Sequence, residues 1–165
     1  MLTKPIAFIG GGQMAEALIG GLLAAGACEP AFICATDPVA ARRDALKSRF
    51  GIRVGDENAK AVREADLVVL AVKPQAMPAV LSDAGQACAG KLVVSIAAGV
   101  TTAWIRERIV TPRGIVRAMP NTPALVREGV TALTCQPDLQ SDDLAAVRTS
   151  FEAVGSVVAV EERRR

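Results

Sequence analysis

The sequence Ile6-Ala7-Phe8-Ile9-Gly10-Gly11-Gly12-Gln13-Met14-Ala15 decides the fold of this protein. A short apolar run leads into Gly10-x-Gly12-x-x-Ala15, and an apolar helix pattern follows. In such a turn Gly10 permits a sharp bend, Gly12 lets backbone amides approach a pyrophosphate, and Ala15 lets the helix pack closely on the sheet. Free N–H groups and the dipole at the helix start then favour phosphate. The context predicts a dinucleotide site, and a plain tight turn between strand and helix is the alternative.

Apolar strands and amphipathic helices alternate along the rest of the chain. This order predicts β-α-β crossovers and a mostly parallel sheet covered on both faces. We therefore expect an α/β fold, a Rossmann-type doubly wound sheet, with the late strands open to antiparallel pairing after the proline-containing loop at residues 119–129. The predicted strands are residues 6–9, 31–35, 52–54, 67–72, 91–96, 115–117, 130–133 and 157–160. The predicted helices are residues 13–25, 39–50, 59–64, 74–84, 102–109 and 141–154.

Length and composition indicate one folded domain. The chain has 165 residues, of which 51% are hydrophobic and 22% are charged, so a disordered chain is excluded. We expect residues 1–160 to form an NAD(P)-binding Rossmann domain and residues 161–165 to form a charged tail. No apolar run reaches the roughly 18–20 residues of a membrane span, and the N-terminus does not read as a signal peptide. A cytoplasmic protein is the expectation.

Residue usage excludes several functions. Aromatic residues make up 3% of the chain and the net charge is +2, which gives no case for nucleic-acid binding. The sequence contains no His, so the commonest general base and His-rich metal sites are ruled out. The 4 cysteines are scattered without a C-x-x-C pair, which argues against zinc and disulfides. No metal is expected, and the composition does not identify a catalytic residue.

The end of the second predicted strand carries mixed signals about the cofactor. An acid at this point favours the free 2′-hydroxyl of NAD, whereas a nearby Arg favours the 2′-phosphate of NADP. Asp37 follows Thr36 and would repel a phosphate. Arg42 or Arg43 would attract one, unless both lie on a solvated helix face. The sequence leaves NADP or NAD open.

Five motifs follow predicted strands in order, at the carboxyl ends where an open α/β sheet binds its ligand. Together they resemble pyrroline-5-carboxylate reductase, from about Ile6 to Glu162. The motifs are Phe-Ile-Gly-Gly-Gly-Gln-Met-Ala at residues 8–15, Ala-Val-Lys-Pro-Gln at residues 71–75, Ser-Ile-Ala-Ala-Gly-Val at residues 95–100, Arg-Ala-Met-Pro-Asn-Thr-Pro-Ala at residues 117–124, and Glu-Gly-Val-Thr at residues 128–131.

The resemblance implies an oxidoreductase of amino-acid biosynthesis that transfers a hydride from NAD(P)H to the C=N carbon of 1-pyrroline-5-carboxylate, giving L-proline. It also implies roles for individual positions. The pyrophosphate would lie on Ile9, Gly10, Gly11, Gly12, Gln13 and Met14, and the adenosine on Thr36, Asp37 and Asn58. The diphosphate and nicotinamide ribose would meet Ala71, Val72, Lys73 and Pro74, the nicotinamide would lie near Ala97, Ala98 and Gly99, and Met119, Pro120 and Asn121 would form a substrate-side loop. Strand-end packing is the alternative for the apolar positions, and a surface or turn role is the alternative for Lys73 and Asn121.

The sequence departs from the family after Glu162. Family members continue into a helical domain that makes the dimer and supplies most imino-acid contacts, whereas this sequence ends in three arginines, expected to be a solvated end. A homo-oligomer is expected for the full-length family. Two further hypotheses are a non-catalytic dinucleotide-binding module and a related NAD(P)-dependent β-hydroxyacid or ketopantoate-type reductase. The motif at residues 119–124 argues against the last of these.

Overall fold

The computed structural model describes residues 1–162, so the arginines that end the predicted tail lie outside the described residues. One 8-stranded sheet is flanked by helices, as the alternating pattern predicts. The strands are β1 Ile6–Ile9, β2 Ile33–Thr36, β3 Arg53–Gly55, β4 Leu67–Leu70, β5 Leu92–Ser95, β6 Gly114–Met119, β7 Gly129–Cys135 and β8 Gly155–Ala159. The α-helices are α1 Gln13–Ala24, α2 Ala40–Phe50, α3 Asn58–Glu64, α4 Met77–Ala84, α5 Thr102–Arg106 and α6 Ser141–Glu152, and 3₁₀ turns occupy Pro30–Phe32, Pro74–Ala76, Gln86–Cys88 and Thr122–Val126.

The strand order is β3-β2-β1-β4-β5-β6-β7-β8, and the pairs from β3 to β6 are all parallel. β7 pairs antiparallel with β6, because the short connection between them returns the chain directly beside the strand it left. The α6 crossover then makes β8 parallel to β7. The predicted Rossmann-type sheet with a late antiparallel pair is confirmed. The order reverses between β1 and β4, which is where such sheets bind ligands.

The core lies on both faces of the sheet. Along β1, Ile6 and Phe8 point into one apolar cluster with α1 and α6, whereas Ala7 and Ile9 point into the other with α3 and α4. All four of these residues are buried. This explains why β1 is continuously apolar rather than alternating.

Several element ends differ from the sequence prediction, among them those of β2, β4 and α5. β2 extends to Thr36 because that residue still pairs with Ile9 and with Gly55. β4 ends at Leu70, and the chain then turns towards the 3₁₀ turn Pro74–Ala76. α5 stops at Arg106, well before residue 109, because the Val110 N–H donates to the Gly85 carbonyl instead of continuing the helix.

Two absences can be stated for residues 1–162. No helix in this part of the chain has the length and apolar character needed to cross a membrane. The same residues hold no group of three or more His, Cys, Asp or Glu side chains arranged to bind a metal ion.

Candidate dinucleotide site

Gly10 must be glycine for reasons internal to the fold. Its φ is +99°, a conformation that side-chain-bearing residues rarely adopt. A Cβ at this position would lie 2.6 Å from the carbonyl oxygen of Ala71. The Gly10 N–H donates to the Thr36 carbonyl at 3.0 Å. The turn is therefore locked between the ends of β2 and β4.

Gly12 is different, because the protein itself does not require glycine there. Its φ of −75° suits any residue, and a Cβ would meet no atom within 4 Å. Gly12 is the N-cap of α1 and gives no side-chain hydrogen bond to the first turn. The first N–H groups of a helix have no partner within the helix, and the helix dipole favours an anion beside them. The arrangement fits the pyrophosphate of a dinucleotide.

The adenosine side forms around the end of β2. Asp37 accepts the Gly11 N–H on Oδ2 at 3.1 Å and the Val39 N–H on Oδ1 at 2.9 Å. Thr36 Oγ1 donates to Asn58 Oδ1 at 2.6 Å. A cleft of about 740 Å³ opens beside this pair, lined partly by Thr36. The three positions that the resemblance assigns to adenosine thus lie together.

The loop after β4 lies beside the glycine turn, and the end of β5 lies beside the end of β4, where the Ile96 N–H donates to the Leu70 carbonyl at 3.2 Å. The Ala71 N–H donates to the Ile9 carbonyl at 2.8 Å, which joins the loop after β4 to the end of β1. After β5, the Ala97 N–H donates to Ser95 Oγ at 3.2 Å, and Ala98 and Gly99 are exposed. In the first loop Val72 and Pro74 are half-buried and Lys73 is exposed. Both loops follow the carboxyl ends of the parallel strands β4 and β5, the edge at which an open α/β sheet is expected to bind its ligand.

The loop after β6 borders the same edge and is held by its own hydrogen bonds. Asn121 Oδ1 accepts the Val130 N–H at 2.9 Å, which stabilises the loop, and the role of Asn121 towards the substrate stays a prediction. Met119 is 37% exposed, and Pro120 is half-buried. Because β6 pairs with β5 through Ser95 and Arg117, this loop extends the row of strand-end loops.

Residues 5–99 match the protein family described as NADP oxidoreductase coenzyme F420-dependent. The chain belongs to this family. The match includes the glycine turn, the end of β2 and the loops after β4 and β5, which are the parts of the candidate site described above. It ends before the loop that follows β6.

More specific relatives match nearly the whole chain. It is 43% identical over 163 residues to a pyrroline-5-carboxylate reductase of Pseudomonas aeruginosa, covering 98% of this chain and 59% of the relative. A pyrroline-5-carboxylate reductase structure from Coxiella burnetii has a TM-score of 0.91 at 36% identity, covering 98% of this chain and 60% of that chain. The Plasmodium falciparum enzyme, solved with NADP bound, has a TM-score of 0.86 at 28% identity, covering 98% and 59%. The resemblance seen in the motifs is confirmed, and the chain spans about 60% of the length of these relatives.

Arg42 takes a place that the sequence did not predict. It neither lies on a solvated face nor points freely towards a cofactor. Its Nε donates to the Gly11 carbonyl, and its Nη2 donates to the Gly12 carbonyl at 3.3 Å and to the Glu16 carboxylate. Arg49 also donates to Glu16. Hydrogen bonding to Arg42 is the main reason why the pKa of Glu16 lies below its ordinary value.

Sequence reasoning missed Glu16, although a signal for it exists. A carboxylate in the first turn of a phosphate-binding helix would repel the phosphate unless a cation compensated it. Arg42 and Arg49 are those cations. In this member of the NADP oxidoreductase family, Arg42 also stabilises the glycine turn, because it donates to the Gly11 and Gly12 carbonyls.

Glu162 was also missed, because it was assigned to the charged tail. Its carboxylate accepts the Thr102 N–H at 3.1 Å, the Thr102 hydroxyl at 2.5 Å and Arg117 Nη1 at 2.9 Å. Burial alone would raise the pKa of Glu162, but the hydrogen bonds from Thr102 and Arg117 outweigh it and hold this pKa below its ordinary value. The end of the described chain is thereby tied to α5 and to β6.

The structure brings the predicted cofactor positions of β1, β2, β4 and β5 to one edge of the sheet, with the β6 loop beside them. Their contacts with a cofactor stay predictions, as do the boundaries of the predicted domain and tail. No residue of the described chain is assigned a catalytic role.

Proposed function

We propose that this chain is the dinucleotide-binding part of a pyrroline-5-carboxylate reductase, which transfers a hydride from NAD(P)H to 1-pyrroline-5-carboxylate and forms L-proline. The observation that carries the proposal is the 43% identity to the Pseudomonas aeruginosa reductase, which extends over 98% of this chain. It is supported by the open space at Gly12 and by the strand-end loops at the same edge of the sheet.

The bound nicotinamide supplies the hydride, and the chain supplies position. The first turn of α1 holds the pyrophosphate, and Asp37 and Asn58 hold the adenosine side. The loops after β4 and β5 support the nicotinamide end of the cofactor. The loop at residues 119–121 then lies towards the substrate, where it helps to exclude water and to set the approach of the imine carbon.

Proton supply fits a chain without His. An imine nitrogen is basic, so the substrate can arrive protonated, and no histidine base is needed to begin the reaction. The remainder of the substrate site belongs to a part of the protein that the relatives have and this chain does not span. We propose that this part also makes the homo-oligomer, and that the enzyme is cytoplasmic.

A chimera tests the proposal. Residues 1–162 would replace the corresponding part of the Pseudomonas aeruginosa reductase, and NAD(P)H oxidation would be followed with 1-pyrroline-5-carboxylate. We expect turnover within about tenfold of the parent enzyme, because the donor and acceptor would again be held in reacting geometry. The matched control is the same chimera carrying Gly12→Val, which should not turn over.

The second candidate is a dinucleotide-binding module without activity, which fits the family match over residues 5–99, the part that contains the glycine turn and the loops after β4 and β5. A folded chimera that binds cofactor but reduces no 1-pyrroline-5-carboxylate would support the module and contradict the reductase. A folded chimera that binds neither NADH nor NADPH would contradict both.

A further inference from the structure

The residues that choose between the two cofactors lie at the carboxyl end of β2. In a Rossmann fold, an acid here bonds the ribose 2′-hydroxyl of NAD, whereas a nearby arginine accommodates the 2′-phosphate of NADP. The sequence contains Asp37 as well as Arg42 and Arg43, so composition alone does not decide. The hydrogen-bond partners of these three side chains indicate the choice between NAD and NADP, because a charged group that is already paired within the protein is less available to bind a ligand.

The Asp37 carboxylate is held in place by hydrogen bonds and can still accept further hydrogen bonds. Its two oxygens each accept one backbone N–H, from Gly11 and from Val39. An ionised carboxylate offers about four acceptor positions, so about two remain for the hydroxyl groups of a ribose. The bond to Gly11 also fixes the carboxylate beside the turn that receives the pyrophosphate. A phosphate on the same ribose would face this negative charge.

Arg42 is hydrogen-bonded to Glu16 and to the glycine turn. The guanidinium donates through Nε and Nη2 to two carbonyls of the glycine turn and to the Glu16 carboxylate. Arg42 is 29% exposed and Glu16 is 23% exposed, so water screens this pair only in part. The arginine that could best offset a phosphate is therefore tied to the glycine turn and α1.

Arg43 is hydrogen-bonded to Asp37, the residue whose negative charge it would have to offset before a 2′-phosphate could bind. Its Nη1 donates to the backbone carbonyl of Asp37 at 2.7 Å. To reach a phosphate it would have to work next to the Asp37 carboxylate. Both arginines thus donate to groups of the protein itself.

From this arrangement we propose that the chain binds NAD(H) in preference to NADP(H). Asp37 makes the choice by accepting ribose hydroxyls and repelling a 2′-phosphate, and Glu16 reinforces it as a positioning residue that holds Arg42 on the glycine turn. The proposal rests on the proposed dinucleotide site. It separates this chain from the description of its family, which names NADP, and from the Plasmodium falciparum relative solved with NADP.

The test is the ratio of dissociation constants for NADH and NADPH, measured by nicotinamide fluorescence on the 165-residue chain. The unsubstituted chain should bind NADH at least about tenfold more tightly. Asp37→Ser should lower this preference about tenfold or reverse it. Asp37→Asn, which keeps the size and an acceptor oxygen, should act in the same direction and serves if the serine variant does not fold.

Glu16→Gln tests the positioning role, because it weakens the hold on Arg42 without touching Asp37. We expect the NADH preference to fall several-fold, and we expect Arg42→Ala added to Glu16→Gln to restore it. A merely structural role of Glu16 would weaken both cofactors together and leave their ratio unchanged. Glu107→Gln is the matched control, since that carboxylate is 75% exposed and lies on another part of the chain.

Each outcome is decisive. Equal or tighter binding of NADPH by the unsubstituted chain would overturn the proposal, while binding of either cofactor would still support the dinucleotide site. An unchanged ratio in both Asp37 variants would remove Asp37 from the choice, and an unchanged ratio in Glu16→Gln would remove Glu16. A folded chain that binds neither cofactor would overturn this inference and the proposed site together.

Discussion

Gly10 and Gly12 lie two positions apart, but glycine is needed at each for a different reason. At Gly10 the backbone conformation and the carbonyl of Ala71 exclude a Cβ. At Gly12 the φ is ordinary and the space is open. The first glycine is thus required by the fold, and the second is available to a ligand.

This contrast predicts separate effects of two substitutions. Gly12→Val should leave the melting temperature nearly unchanged but should abolish measurable NADH and NADPH binding, because a branched side chain would occupy the space of the pyrophosphate. Gly10→Ala should lower the free energy of unfolding by roughly 1–3 kcal/mol, because it forces alanine into a strained backbone conformation against a carbonyl. Calorimetric titration and thermal unfolding of both variants check this. Equal cofactor affinity of the parent and Gly12→Val would remove the glycine turn from the site.

Glu162 makes the stability of the chain depend on pH. Its pKa in the folded protein lies below the ordinary 4.5, so it stabilises the fold above that pH. This contribution is lost as the pH falls through the folded-state value, where the carboxylate becomes protonated and its bonds to Thr102 and Arg117 weaken.

Glu162→Gln should therefore lower the free energy of unfolding by about 1–2 kcal/mol at pH 7, because charge-assisted hydrogen bonds are lost. The difference from the parent should shrink as the pH falls below 4.5. Urea unfolding across this range measures both effects. Glu161→Gln is the matched control, since Glu161 is exposed, and it should change little at either pH. A difference in the free energy of unfolding between the parent and Glu162→Gln that stays constant with pH would contradict the hydrogen bonds of the Glu162 carboxylate.

At the scale of elements, α1 is held close to the end of α6. A Cβ on Gly21 would lie 2.8 Å from the carbonyl oxygen of Ala153 and 2.8 Å from Val154 Cγ1. The neighbouring Gly20 is less confined, because its Cβ would lie 3.3 Å from the Phe50 ring edge. α1 also carries the glycine turn at its start, so the same helix joins this packing to the candidate site.

Alanine substitutions at Gly20 and Gly21 should change the free energy of unfolding by different amounts or in opposite directions. Alanine gains about 0.5–1 kcal/mol over glycine inside a helix. At Gly21 the contact with backbone should exceed this gain, and overpacking should lower the free energy of unfolding by about 1–3 kcal/mol. Gly20→Ala should be neutral or stabilising, since a side-chain ring can shift. Thermal unfolding compares the two, and equal effects would contradict the close approach of α1 and α6.

At the scale of the whole molecule, we expect the strand-end loops to form one wall of the proposed site. The parallel strands β1, β2, β4, β5 and β6 all direct their carboxyl ends to the same edge. The relatives are longer than this chain, which spans about 60% of them. The opposite wall is therefore expected from the part that this chain does not span.

We expect the 165-residue chain by itself to bind cofactor but to reduce 1-pyrroline-5-carboxylate very slowly or not at all. Without an opposite wall the imine is neither oriented nor shielded from water, and effective molarities of roughly 10⁵–10⁸ M depend on such positioning. NAD(P)H oxidation by this chain, compared with the chimera described above, measures the difference. Full turnover by the chain alone would mean that the strand-end loops form a complete substrate site.

Much of the fold and part of the site follow from local sequence. The strand, glycine turn and helix at residues 6–25 could be predicted because φ requirements and apolar periodicity act over a few residues. The order of strands and the row of loops at their carboxyl ends follow from β-α-β connections. The end of α5 could not be predicted, since it depends on a bond from Val110 to Gly85.

The sequence by itself determined the sheet, the glycine turn and the family, because their signals are carried by neighbouring residues in fixed order. Tertiary structure alone decided the charge pairs: Arg42 binds Glu16 across 26 positions, and Glu162 binds Arg117 across 45. A charged side chain has many partners of opposite sign in a sequence, and only the folded chain brings one of them within hydrogen-bond distance. That is why the sequence left the choice between NAD and NADP open. The positions of Asp37, Arg42 and Glu16 in the fold are the basis for the proposed preference for NAD(H).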